Sequence, residues 1–341
     1  MDKLFIIIFA ISIAACKNQP SKTPTVAEEK YKKIGEVIRY DVALDSIVSI
    51  NAKAEIIAEG FKWSEGSIWV EKQNMLLFSD VPSNTVYKWT EEHGAQTYLV
   101  PSGYTDTIKR GGEMGSNGLT LDNNGNLVLC QHGDRAVARM DAPLDKPVAK
   151  FVTLANKYKG KRFSSPNDVV FNREGEAFFT DPPYGLESKS DTDSKKEIKF
   201  NGVYKVKKDG KVILLTDSIS RPNGIAFFPD QKKLLVASSD PQKPNWYVWD
   251  VKGDVLTHGK IFYSASAYDP KWRGLPDGLR ISKNGTVFAT GPGGVYIFDS
   301  TGKKLGLLKL DEPTSNCALS PDEKTLYVTN NMLVLRVKLR N

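Results

Sequence analysis

Cysteine is scarce in this chain: three among 341 residues, Cys16, Cys130 and Cys317. The last two sit inside apolar, strand-like stretches (NLVLCQ and NCALS), so a disulfide framework is excluded and both read as buried free thiols. Long apolar runs are also lacking. The one present, LFIIIFAISIAA at residues 4–15, is too short to cross a bilayer as a stable helix. Helical periodicity is thin throughout, which disfavours helical bundles and alternating α/β folds. No charge of one sign dominates: 47 Lys and Arg against 40 Asp and Glu leave a net +7. The lysines are scattered and no Arg-aromatic interleaving occurs, so nucleic acid is excluded as a partner. Glycine (27) and proline (18) are plentiful and punctuate short apolar runs, the mark of an all-β chain. At 40% hydrophobic, the chain can build a globular core.

The short apolar run follows Lys3 and ends in Ile13-Ala14-Ala15-Cys16. A core of that length closed by small residues has the form of a signal peptide, and small residues before a cysteine resemble a bacterial lipobox. The expectation is cleavage before Cys16, a lipid on its sulfur, a polar tether over residues 16–39 and a folded domain over 40–341. That places the protein in the bacterial cell envelope as an exported lipoprotein, held to the membrane through its N-terminal lipid and acting as a monomer.

The domain repeats. A polar residue and a small residue or Asp precede an alternating strand, a tight turn and a second strand. The six polar residues are Glu65, Asn117, Asn167, Asn223, Asp277 and Asn316, spaced by 52, 50, 56, 54 and 39 positions. Strand repeats of this period predict a six-bladed β-propeller. The turns NNG, REG, PDQK, KNG and PDEK supply the left-handed positions that tight hairpins need. The last copy has only three strands before the chain ends, whereas residues 54–60 (AEIIAEG) precede the first copy without a blade of their own. Their expected role is the outer strand of the last blade, which removes the open edge of the ring.

Equivalent positions in a ring of blades face one axis. All six polar residues carry a side-chain oxygen, and two are carboxylates. Asn-Gly and Asp-Gly pairs also make ordinary turns, but six in register, with Glu at one of them, point to a cation site. Hard oxygen donors suit Ca2+, with Mg2+ or Mn2+ as alternatives, and suit Zn2+ least. Other residues invite a role beside the axis. His132 and Arg135 follow the second hairpin in CQHGDR. Tyr184 lies in DPPYG, where two prolines set a rigid loop. The charged stretch ESKSDTDSKKEIK reads as a solvated loop or lid, and Trp63 and Trp69, flanking Glu65, read as core.

The motifs WSEGSIW, SNGLTLD, CQHGDR, SSPNDVVF, FFTDPPYG, RPNGIAF, VASSDP and LPDGLRI together resemble the gluconolactonase and regucalcin (senescence-marker-protein) family of propeller lactonases. The resemblance implies a six-bladed propeller with a catalytic divalent cation, usually calcium. It places the metal ligands on Glu65, Asn223 and Asp277, with Asn167 binding metal or substrate, and the acid-base role on Asp277; direct attack by Asp277 to give an acyl intermediate is the alternative. A sugar lactone is the implied substrate; beside Asn167, this chain's own Asn117, His132, Arg135 and Tyr184 are the candidate contacts, with proton transfer as the other role open to His132 and Arg135. One departure stands out: the regucalcin branch has Arg two residues before the Asn167 position, and this chain has Ser165. Two other functions remain open: phosphotriester or other ester hydrolysis at the same metal, and a non-catalytic propeller that binds a partner or glycan. The two carboxylates weigh against the last, since a structural cation site needs only neutral donors.

Overall fold

Six four-position sheets follow one another around an axis in the computed structural model, which describes residues 1–2 and 30–340. The signal peptide, Cys16 and nearly all of the tether lie outside the described residues. Among the described residues no helix is long and apolar enough to cross a membrane. The chain divides into Met1–Lys30 and Tyr31–Asn341, and the second unit is a six-bladed β-propeller. Its innermost strands are Ser64–Val70, Ser116–Leu121, Val169–Phe171, Pro222–Phe227, Leu279–Ile281 and Thr314–Leu319, one for each repeat seen in the sequence.

The predicted hairpin turns adopt the backbone their residues suit. Gly125, Gly175 and Gly285 stand at φ +81°, +79° and +88°. The two turns without glycine place Gln231 at +59° and Glu323 at +56°. A left-handed non-glycine residue carries strain of about 1–3 kcal/mol. Here each such side chain is tied to the turn of the neighbouring blade: Gln231 Oε1 accepts from Arg173 N and Glu323 Oε1 from Lys283 N, both at 2.8 Å. The strained turns thus also bond one blade to the next.

The ring closes as expected. Ala54–Glu59 pairs antiparallel with Leu333–Lys338, in register Glu59 to Leu333 and Glu55 to Arg336. The Arg336 guanidinium reinforces that seam with Glu55 at 2.7 Å and Glu91 at 2.5 Å. The tether, in contrast, ends earlier than its composition suggests. Lys33–Ile34 adds a fifth strand beside Ala54–Glu59, and Glu36–Arg39 adds a fifth strand to the blade ending in Lys304–Lys309. Val37 is buried there between exposed Glu36 and half-buried Ile38, an edge strand too short to stand out from a linker. Apolar clusters between successive blades form the core, with Trp89, Trp246, Tyr204 and several Phe among the largest fully buried side chains.

Near the axis the blades are joined by hydroxyls. Ser79 Oγ donates to Asn117 O (2.9 Å), Thr180 Oγ1 to Asn223 O (2.8 Å), Ser239 Oγ to Pro276 O (2.6 Å) and Ser315 Oγ to Ser64 O (2.6 Å). Each crosses from one blade to the next at the level of the repeated polar residues. This crowding explains the glycine that follows most of them. A Cβ on Gly224 would stand 2.3 Å from Asp277 O, and one on Gly66 2.0 Å from Asn117 O. The Asn-Gly and Glu-Gly pairs are therefore sites of close backbone approach at the axis rather than hairpin turns.

Candidate active site

The loops that enter the inner strands are held from behind by the ends of the second strands. The Asp80 carboxylate accepts from Trp63 N (3.0 Å), two residues before Glu65. Asp181 accepts from Ser164 N (2.9 Å) and Ser165 N (2.7 Å), just before Asn167. Asn330 Nδ2 donates to Pro313 O (3.1 Å) in the loop before the sixth inner strand. Burial raises the Asp181 carboxyl to about 6 even though the two amides favour its charge.

These clamps deliver Glu65, Asn117, Asn167, Asn223 and Asp277 to one cavity of about 360 Å3 at a mouth of the central channel, together with Tyr184 and Ser239. The sixth repeat residue does not join them. Asn316 turns its Oδ1 back onto Cys317 N at 2.8 Å and does not line the cavity. Ser239 fixes the orientation of Asn223. The serine hydroxyl donates to Pro276 O, so it must accept from Asn223 Nδ2 (2.8 Å), and the amide oxygen of Asn223 is left facing away from Ser239.

The two carboxylates are under electrostatic stress. Burial raises Glu65 to about 8, with the nearby charges of Asp168 and Glu113 adding to it and the bond from Gly66 N opposing it. Asp277 is pushed well above the usual carboxylate range by burial and then by the charge of Glu65. Asp277 Oδ1 is buried and makes no hydrogen bond to the protein. Two buried carboxylates beside amide oxygens, one of them with an oxygen unmatched, is the donor chemistry of a divalent cation site. The remaining donors are amides: among the described residues no three His, Cys, Asp or Glu stand close enough together to hold a metal ion by themselves. Tyr184 sits across from them as a neutral phenol, its ionisation pushed up by burial and by the charge of Asp277.

The structure does not bring His132 and Arg135 to this cavity. His132 is fully buried, neither ring nitrogen bonds to the protein, and burial with the charges of Arg110 and Lys189 lowers it to about 3. It is a neutral imidazole at ordinary pH and cannot serve as a cationic proton donor. Arg135 points the other way: Nε donates to Phe163 O, and Nη1 stands 3.6 Å from Glu197. It holds the approach to the third blade. Several residues that line the cavity escaped the sequence reading, among them Trp63, which had read as core, and the loop residues Glu113 and Lys189. Trp69, its sequence partner, is half-buried and stacks on Tyr327 at 5.1 Å. The charged loop is stapled rather than loose, because the buried Lys196 Nζ donates to Ser164 Oγ, Phe200 O and Asn201 Oδ1.

Known proteins are similar to this chain over most of its length. The family model described as SMP-30/Gluconolactonase/LRE-like region matches residues 63–331. A gluconolactonase of Zymomonas mobilis is 38% identical over 315 residues, 90% of this chain and 87% of that protein. Among solved structures, a gluconolactonase of Xanthomonas campestris superposes with a TM-score of 0.76 at 28% identity, covering 90% of this chain and 97% of its own. A calcium-binding regucalcin of Agrobacterium tumefaciens shares the fold with a TM-score of 0.64 at 15% identity, covering 84% of this chain and 94% of its own.

Proposed function

The chain belongs to the SMP-30/gluconolactonase/LRE-like family, and on that premise we propose that it hydrolyses a sugar lactone at one divalent cation, Ca2+ by preference. Glu65, Asn223 and Asp277 would hold the cation, with Asn167 beside them. The observation that carries this reading is the buried, unpartnered Asp277 Oδ1 placed with Glu65 in one cavity. The calcium-binding relative supports the choice of metal.

When bound, the cation supplies Lewis-acid polarisation of the lactone carbonyl and favours the ionised form of both carboxylates. Asp277 then accepts a proton from the attacking water as the water oxygen bonds to the carbonyl carbon. The ring C–O bond breaks, and the proton passes to the departing ring oxygen, leaving an open-chain hydroxy acid. Asn117 and Asn167 donate to and accept from sugar hydroxyls, Tyr184 offers its ring to a sugar face, and Trp63 keeps one side of the cavity apolar. A lactone panel assayed with chelator and with added Ca2+ tests this. Turnover should fall with chelation and return with Ca2+. Failure to open any lactone under either condition would refute it.

A further inference from the structure

The axial cavity has two unlike walls. Toward the first, fifth and sixth blades it presents Trp63, Leu275 and Pro313; toward the second and third it presents Glu113 and Lys189. The last two come from loops, not from the ring of inner strands. Glu113 precedes the second inner strand, and Lys189 lies in the loop after Asp181. Lys189 Nζ meets Glu113 Oε1 at 2.5 Å, with the Glu113 side chain 17% exposed and that of Lys189 48% exposed. The pair therefore reaches from the cavity to solvent.

Fold stability does not account for this pair. A half-exposed ion pair contributes about 0–1 kcal/mol. The two loops are already joined by Arg110, which donates to the carbonyls of Gly133 and Gly185, and the second loop is anchored by buried Lys196. We propose that Glu113 and Lys189 act as a charge filter at the cavity mouth that admits neutral, polyhydroxylated lactones and rejects lactones bearing a carboxylate or phosphate. This rests on the lactonase reading above.

The charges lining the cavity give the reason. Three carboxylates, Glu65, Glu113 and Asp277, face one ammonium, Lys189. A divalent cation at Glu65 and Asp277 balances those two, and Lys189 balances Glu113, so an incoming anion finds no unmatched positive charge. Breaking the ion pair to accommodate it would expose the anion to Glu113. A neutral polyol needs no such break. An ammonium has three donors and a carboxylate two oxygens, so a pair joined through one of each keeps further capacity for hydroxyls.

The test compares kcat/KM for a neutral hexonolactone with that for the same lactone phosphorylated on its exocyclic oxygen. The wild type should favour the neutral substrate. Glu113→Gln frees the Lys189 charge and should shrink that preference about tenfold or more, mainly through KM; Lys189→Gln should widen it by a similar factor. Both positions belong to loops anchored elsewhere, so unchanged melting temperatures are expected and serve as the folding control. Calorimetry with the non-hydrolysable cyclic ether analogues of the two sugars reads the same preference without turnover. A wild type that opens neither lactone defeats the lactonase reading, while the binding arm still decides the filter. Preferences that stay at the wild-type value in both variants, or analogues that do not bind at all, overturn the filter.

Discussion

The proposed function gives Asp277 two roles in one side chain: a negative ligand and the group that takes a proton. Asp277→Asn keeps an oxygen near the axis but removes both charge and basicity. We expect kcat to fall by about a hundred- to ten-thousandfold, with metal binding weakened rather than lost. Wild-type turnover by that variant would remove the catalytic assignment. Glu65→Gln should act mainly on cation affinity, so excess Ca2+ should restore part of its rate; a loss that no Ca2+ concentration repairs would place Glu65 in the chemistry instead. His132 stays neutral across the working range, so the pH–rate profile should carry no ionisation from it, and His132→Ala should leave the shape of that profile unchanged.

At the scale of the element, the seam of the ring is the most exposed weakness. Ala54–Glu59 gives the last blade its fourth strand and itself supports Lys33–Ile34. Removing residues 54–60 takes away the buried side chains of Ala54 and Ile57 and leaves Leu333–Lys338 as an open edge. The deletion should lower the melting temperature of the whole domain cooperatively, while deletion of residues 17–29, short of the first strand, should hardly change it. Equal effects from the two deletions would argue against closure as a source of stability.

For the whole molecule, the buried carboxylates tie stability to pH and to the cation. Glu65 is raised from 4.5 to about 8 in the metal-free protein, and Asp168 and Asp181 from 3.8 to about 6, each chiefly by burial. A raised carboxyl pKa means that the folded state binds protons the unfolded state has released, so stability falls as pH rises through that window. In chelator, the melting temperature should decline from about pH 5 to about pH 8. Added Ca2+ should reverse most of the decline at the upper end, because a cation favours the ionised form and binds only the folded state. A melting temperature in chelator that is flat with pH would show that these carboxyls are not buried as neutral acids. The proposed lipid anchor concerns the whole molecule in another way. Cys16→Ser should move the protein from the membrane fraction to the soluble one; unchanged detergent partitioning would dismiss lipidation at that residue.

Much of this architecture is local in origin and therefore legible in sequence. The alternating strands, the turns with Gly125, Gly175 and Gly285, and the orphan strand at 54–60 are each specified by residues within a few positions of one another, and the repeat sets Glu65, Asn223 and Asp277 in register. The order of the blades then follows, because identical units stacked around an axis leave few other arrangements. Loop direction obeys no such repeat. Glu113 and Lys189 reach the cavity because Arg110 binds the distant carbonyls of Gly133 and Gly185 and Lys196 binds Ser164, and Arg135 leaves it because Phe163 and Glu197 capture its guanidinium. Asn316 keeps the register of the ring and still withdraws, since its oxygen finds the neighbouring amide of Cys317. A polar residue's position along a repeat is a property of the sequence. The partner that its side chain finally bonds is settled only when distant segments meet, and that competition among donors and acceptors decided which residues form this site.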